Sequence, residues 1–157
     1  KGIHGQKEYN AFKTLKPFPE NLSEKLCRLV NMVILPSLIE KNFNDFSRAI
    51  GKLQKIVGTH FSPIQGGVYS NPDIANIMSY VEKKGFTGVG QSSWGPTGFI
   101  LTDSDTAAHK LTKDIRQNFL CKDLQIEIIQ GRNKGSCIEF NNSNKEEQNI
   151  NLNINKE

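Results

Sequence analysis

The sequence has little cysteine and spaces it widely. Cys27, Cys121 and Cys137 are odd in number and form no CxxC pair, which argues against a disulfide scaffold or a zinc site and fits a reducing compartment. Long apolar runs are also missing. The longest, Leu29 to Ile39, is interrupted by Asn31, Pro36 and Ser37, and crossing a bilayer takes roughly 20 apolar residues. The polar N-terminus lacks the apolar segment of a signal peptide, so the expected location is cytoplasmic, with no membrane contact. A concentrated basic stripe is absent as well. The net charge is +4, and Lys83-Lys84 is the only adjacent pair of lysines or arginines. That excludes an obvious nucleic-acid surface and suits an anionic small molecule.

What remains is ordinary globular material. Hydrophobic residues make up 36% and charged residues 23%, too apolar for a disordered chain. The 157 residues have room for one domain with a modest core. Lys1 to Glu20 reads as an irregular lead-in punctuated by Gly2, Gly5, Pro17 and Pro19. Asn21 or Ser23 should cap a helix carrying Leu26, Leu29, Val30, Val33 and Ile34, with Cys27 as a small core residue, and Pro36 should kink or break it. A second helix is expected from near Asn44, with Phe46, Ile50, Leu53 and Val57 on one face, ending at Gly58. A loop follows over His60 to Gly67.

Asn71-Pro72 has the form of an N-cap followed by a first-turn proline. The helix after it presents Ile74, Ile77, Met78 and Val81 and ends at Gly85. Short strands are expected at Phe86 to Gly90 and Gly98 to Thr102. Asp103 or Ser104 should cap another helix with Ala107, Ala108, Leu111, Ile115 and Phe119 on its apolar face. Leu124, Ile126 and Ile128 alternate with Gln125 and Glu127, the period of a half-buried strand. Gly131 to Gly135 should turn, and Ser136 to Phe140 should add a last strand. These elements make a domain over 1–140 of α+β class, ferredoxin-like, with a largely antiparallel sheet and helices on one face. Asn141 to Glu157, rich in Asn, Lys and Glu, is expected to be disordered, although Ile150, Leu152 and Ile154 alternate like an edge strand.

Chemistry concentrates between the two central strands, in Gly88-Val89-Gly90-Gln91-Ser92-Ser93-Trp94-Gly95-Pro96-Thr97-Gly98. Four glycines let the backbone turn sharply and approach a ligand closely. Amide hydrogens in such a loop can converge on phosphate oxygens, and Gln91, Ser92, Ser93 and Thr97 add neutral donors and acceptors. The bland alternative is a tight hairpin connection, but the chain's single tryptophan among small polar residues is an awkward choice for a plain turn. His60, His4, His109 and Glu40 read as capping or solvated groups rather than acids, bases or ligands.

That eleven-residue string resembles the signature loop of the β-ribofuranosylaminobenzene 5′-phosphate synthases, members of the GHMP kinase superfamily. Leu35-Pro36-Ser37-Leu38-Ile39-Glu40, Phe61-Ser62-Pro63-Ile64-Gln65-Gly66-Gly67-Val68-Tyr69 and Gly2-Ile3-His4-Gly5 followed by Glu8 are also similar to family segments. The likeness runs from Gly2 to Phe140. It implies the C-terminal domain of a transferase that condenses phosphoribosyl diphosphate with 4-aminobenzoate or 4-hydroxybenzoate, on a route to a methanopterin-type cofactor. Diphosphate and carbon dioxide leave, and Mg2+ escorts the diphosphate.

Gly90, Gln91, Ser92, Ser93 and Gly95 are then expected to contact phosphate or sugar. Trp94 is expected either to stack on the aromatic acid or to pack, and Gln65, Gly66 and Gly67 form a second candidate loop on the same cleft. No catalytic acid or base and no metal ligand is identified. The family's first-domain phosphate loop, a Pro-x-x-x-Gly-Leu segment followed by serines, does not occur here. The chain is therefore expected to lack its N-terminal domain and to be inactive alone, with homodimerisation left open. Two alternatives stand. A GHMP small-molecule kinase would use ATP, usually through a Gly-Ala-Gly-type loop. A non-catalytic ferredoxin-like binding module, perhaps for RNA, would need alternating exposed aromatics and a basic surround, which are missing.

Overall fold

The computed structural model describes residues 2–119, 124–131 and 134–135. The elements in order are α1 (Gln6–Thr14), α2 (Glu20–Leu29), a π-helical turn (Val30–Ile34), α3 (Leu35–Ile39), α4 (Phe43–Gln65), α5 (Pro72–Lys83), β1 (Val89–Gln91), β2 (Gly98–Ile100) and α6 (Asp105–Asn118). The α+β class and the antiparallel pairing of the central strands follow the sequence expectation. The pairs are Val89 with Ile100, Gly90 with Phe99 and Gln91 with Gly98.

The lead-in is not irregular. Gly5, at φ 62°, starts α1, and its carbonyl accepts the Tyr9 amide at 3.0 Å. Pro17 and Pro19 act only after the helix has closed, and Ala11 is its one buried residue. The cap of α2 also differs from expectation. Pro19 holds the N-cap position, and its carbonyl accepts from Leu22 and Ser23, so neither Asn21 nor Ser23 serves as a cap. Cys27 is exposed rather than in the core.

Pro36 does not break the chain out of helix. Lacking an amide hydrogen, and with a ring that crowds the carbonyl four residues back, it is accommodated by a widened turn just before it. The Leu35 amide bonds the Val30 carbonyl five residues back, a single π turn of the kind that relieves such crowding.

The largest departure is α4. Asn42 caps it by accepting the Asp45 amide at 3.2 Å, and the helix runs through Gly58 to Gln65. Gly58 is a contact residue, not a stop. A Cβ there would strike the Val68 carbonyl, and one at Gly51 would strike the Thr87 carbonyl. Pro63 is tolerated within the last turn. The Thr59 carbonyl that it leaves without an amide donor accepts the Ser62 hydroxyl at 2.8 Å. Gly66 then closes the helix at φ 87°, its amide bonding the Ser62 carbonyl, as a left-handed C-terminal glycine does.

The remaining helices match their signals. Asn71 accepts amides from Asp73 and Ile74, Gly85 turns the chain at φ 95°, and Ser104 caps α6 through the Ala107 amide. Ile77, Met78, Val81, Val89, Leu111 and Ile115 form the core, with Val81 and Val89 fully enclosed. Across α5 and α6, Asp114 accepts from Lys84 at 2.7 Å and from the Tyr80 hydroxyl.

Leu124 and Ile126 do turn inward against the core while Gln125 and Glu127 face solvent. Residues 124–130 nevertheless pair with no described strand. Alternation chooses a face, but a strand also needs a partner for its backbone. The strand expected at 136–140 and the tail at 141–157 lie outside the described residues, and the turn at 131–135 is described only in part. Among the described residues no helix is long and apolar enough to cross a membrane.

Candidate functional site

The glycine-rich segment is the connection of the β1–β2 hairpin. The Ser92 amide bonds the Thr97 carbonyl, and the Gly95 amide bonds the Ser92 carbonyl, each at 2.9 Å. Ser93 and Trp94 are thus the central residues of a tight turn. Ser93 takes φ 48°, Gly95 takes φ 69°, and the Gly95-Pro96 peptide is cis. A non-glycine residue at positive φ is uncommon and persists only where its surroundings hold it.

The residue that holds it is Gln91, itself 7% exposed. Its Oε1 accepts the Ser70 amide at 2.7 Å. Its Nε2 donates to the Ser93 carbonyl at 3.0 Å and to Gln65 Oε1 at 3.2 Å. Its own amide donates to Gln54 Oε1 at 3.0 Å. Gln65 is equally occupied, its Nε2 bonding the Gly67 and Val68 carbonyls at 2.8 and 2.9 Å. The two segments singled out in the sequence therefore do meet, through a pair of side-chain amides. Gln65 to Gly67 is a helix end rather than a free loop, because α4 extends further than its glycines suggest.

The glycines of the segment serve the protein's own packing. A Cβ at Gly90 would strike Gln54 and Phe99, and one at Gly95 would strike Ser70 and Gln91. Even the lead-in takes part, since a Cβ at Gly2 would strike the Gly95 carbonyl. Trp94 is 3% exposed. Its indole lies 4.5 Å from the Phe61 ring and 5.5 Å, nearly perpendicular, from that of Phe12. That is the packing alternative; the indole presents no free face for a ligand ring. Gly66 is exposed and Gly67 is held by Gln65. Of the loop's candidate residues with polar side chains, Ser92, Ser93 and Thr97 stand on the surface, while Gln91 is buried.

A cavity of about 90 Å³ lies beneath the turn, bordered by Gln54, Phe61, Gln65, Tyr69, Gln91 and Ser93. At about 30 Å³ per water it holds a few waters and no sugar phosphate. Burial, reinforced by Glu82, pushes the Tyr69 hydroxyl up to about 12; it remains a neutral donor. The buried Ser70 hydroxyl has no partner among the described residues. His60 packs beside Phe18, ring centroids 4.5 Å apart. No three carboxylate, imidazole or thiol groups among the described residues converge to hold a metal.

Sequence reasoning missed Gln54, Ser70, Phe12 and the packing role of Phe61. The signal lay in α4. Gly51, Gln54, Gly58, Phe61 and Gln65 recur at helical spacing on one side of α4; all but Gly58, which meets Val68, face the hairpin or the chain leading into it. It becomes readable only when Gly58 is taken as a close approach instead of a stop.

The GHMP kinases C-terminal family matches residues 34–120. A β-ribofuranosylphenol 5′-phosphate synthase from Methanocaldococcus jannaschii is 32% identical over 108 residues, 69% of this chain and 31% of the relative. A β-ribofuranosylphenol 5′-phosphate synthase from Archaeoglobus fulgidus is 27% identical over 143 residues, 88% of this chain and 42% of the relative. A 4-diphosphocytidyl-2-C-methyl-D-erythritol kinase from Gloeothece citriformis is 35% identical over 69 residues, 44% of this chain and 22% of the relative. The chain thus spans about a third to two fifths of the length of the two synthases. No solved structure matches it. With the match covering more than half of its residues, the chain belongs to the GHMP kinase C-terminal family.

Proposed function

We propose that this chain supplies the C-terminal part of a synthase that joins phosphoribosyl diphosphate to 4-aminobenzoate or 4-hydroxybenzoate. The ring carbon forms a bond to the anomeric carbon of the sugar. The anomeric C–O bond breaks and its electron pair leaves with diphosphate. Carbon dioxide departs from the ring, and the pair it leaves behind restores aromaticity. The observation that carries the reading is the similarity to two archaeal synthases over 69% and 88% of the chain, with the Gln91 to Pro96 string at the hairpin turn.

In this reading the Ser92 and Ser93 hydroxyls are neutral donors to phosphate oxygens above the turn. Neutral hydrogen bonds contribute on the order of 1 kcal/mol each. Gln91 and Gln65 shape the turn from below, and Trp94 anchors it on Phe12 and Phe61. Magnesium would neutralise charge on the departing diphosphate, but the described residues offer no cluster of metal-binding side chains. No protein ligand is assigned to it.

Because the chain spans only part of its relatives, the test is an exchange. The matched part of the Archaeoglobus synthase is replaced by this chain, and release of labelled carbon dioxide from carboxyl-labelled acid is followed. The exchanged enzyme should release it, and this chain alone should not. A folded hybrid that consumes ATP and releases no carbon dioxide would instead support the kinase reading, which the cyanobacterial kinase relative favours over 44% of the chain.

A further inference from the structure

We infer that Gln91 is the positioning residue of the turn, fixing which way the peptide between Ser93 and Trp94 points. Three observations carry this. Ser93, the first central residue of the turn, sits at φ 48° without being glycine. The carbonyl of the central peptide is held by Gln91 Nε2 at 3.0 Å. The same side chain is pinned at its other end by the Ser70 amide and at its flank by Gln65 Oε1, so it cannot rotate without losing three bonds.

Turn types related by a flip of the central peptide differ in little else. A peptide is planar and trans, so holding the Ser93 carbonyl toward Gln91 holds the Trp94 amide on the opposite side. A flip would exchange the two and carry Trp94, like Ser93, to positive φ, turning the indole from its place between Phe12 and Phe61. Gln91 thus acts through Ser93 and touches no substrate. Its reach to Ser70 and Gln65 also joins the end of α4 to the turn as one unit. The inference rests on the proposed function only for what the turn is used for. The clamp itself is tested without substrate, so its failure and that of the synthase reading are distinguishable.

Trp94 is the chain's single tryptophan and reports the peptide's orientation through its fluorescence. In Gln91→Glu the carboxylate would face two acceptors, the Ser93 carbonyl and Gln65 Oε1. Once protonated, it regains one donor. The emission maximum of Gln91→Glu should therefore be shifted from wild type at pH 8 and return toward it at pH 5. Gln91→Met should be shifted at both. Tyr69, held near 12, does not titrate in this interval. His60, whose ring lies 5.6 Å from that of Phe61, is common to all three proteins, so its effect is subtracted. Emission identical to wild type in both folded variants would overturn the clamp, as would a Gln91→Glu shift that ignores pH. Should the variants not fold, proton exchange of the Gln91 side-chain amide in the wild-type chain decides. Slowed exchange supports the clamp, and exchange at the rate of a free glutamine overturns it.

Discussion

The indole of Trp94 lies 4.5 Å from the ring of Phe61, inclined by 39°, and 5.5 Å from that of Phe12, which makes the tip of the hairpin part of the helical scaffold. Trp94→Ala should therefore act on stability first. Removing a buried tryptophan costs about 3–5 kcal/mol, read as a lower midpoint of urea unfolding with the slope unchanged. Phe12→Ala should cost much less, because Phe12 is 54% exposed. Equal midpoints for Trp94→Ala and wild type would show that the cluster does not anchor the turn.

Gly90 and Gly66 should separate crowding from backbone strain. A side chain at Gly90 meets Gln54 and Phe99, so Gly90→Val should destabilise by about 1–3 kcal/mol through overpacking. Gly66 has open space around it but φ 87°, so Gly66→Ala should cost about 1 kcal/mol from strain alone. Thermal unfolding of both variants checks the order. A Gly90→Val as stable as wild type would place the close approach elsewhere.

Gln54→Ala should leave the Gln91 amide without its acceptor. An unsatisfied buried donor costs about 1–3 kcal/mol, and amide exchange at Gln91 should quicken in step. Lys55→Ala, one position along on the exposed side of α4, should leave that exchange unchanged.

Tyr69 should make the domain sensitive to alkali. Its hydroxyl stays protonated to about 12 when folded, against 10 for the ordinary group. The folded state therefore binds more protons than the unfolded one between those values, and stability falls as pH rises from about 10 toward 12. Below 10 the group has no effect. Tyr69→Phe should lose that part of the decline, followed by circular dichroism at increasing pH.

Much of this was legible in residues whose local chemistry has one reading. Asn71-Pro72, Ser104 and Gly85 marked their helix ends, and strands were expected on either side of Gln91 to Thr97. Gly58 misled because it has two readings. A glycine ends a helix or admits a neighbour's backbone, and the choice was made by the carbonyl of Val68, ten residues on. Gln91 and Trp94 drew notice as chemically rich, yet their partners, Gln65, Ser70, Phe61 and Phe12, lie 21 to 82 positions away. Composition around the loop holds no trace of them. Tertiary contacts occupy the side chains of Gln91 and Trp94 and leave Ser92 and Ser93 facing outward.

The most direct measurement is the kinetics of Ser92→Ala/Ser93→Ala in the hybrid synthase that carries this chain. With two hydroxyls donating to phosphate oxygens at about 1 kcal/mol each, KM for phosphoribosyl diphosphate should rise roughly thirtyfold. KM for the aromatic acid should stay near its original value. Unchanged KM for phosphoribosyl diphosphate, in a double variant as stable as the parent, would contradict the account of the turn as the phosphate-facing part of this domain.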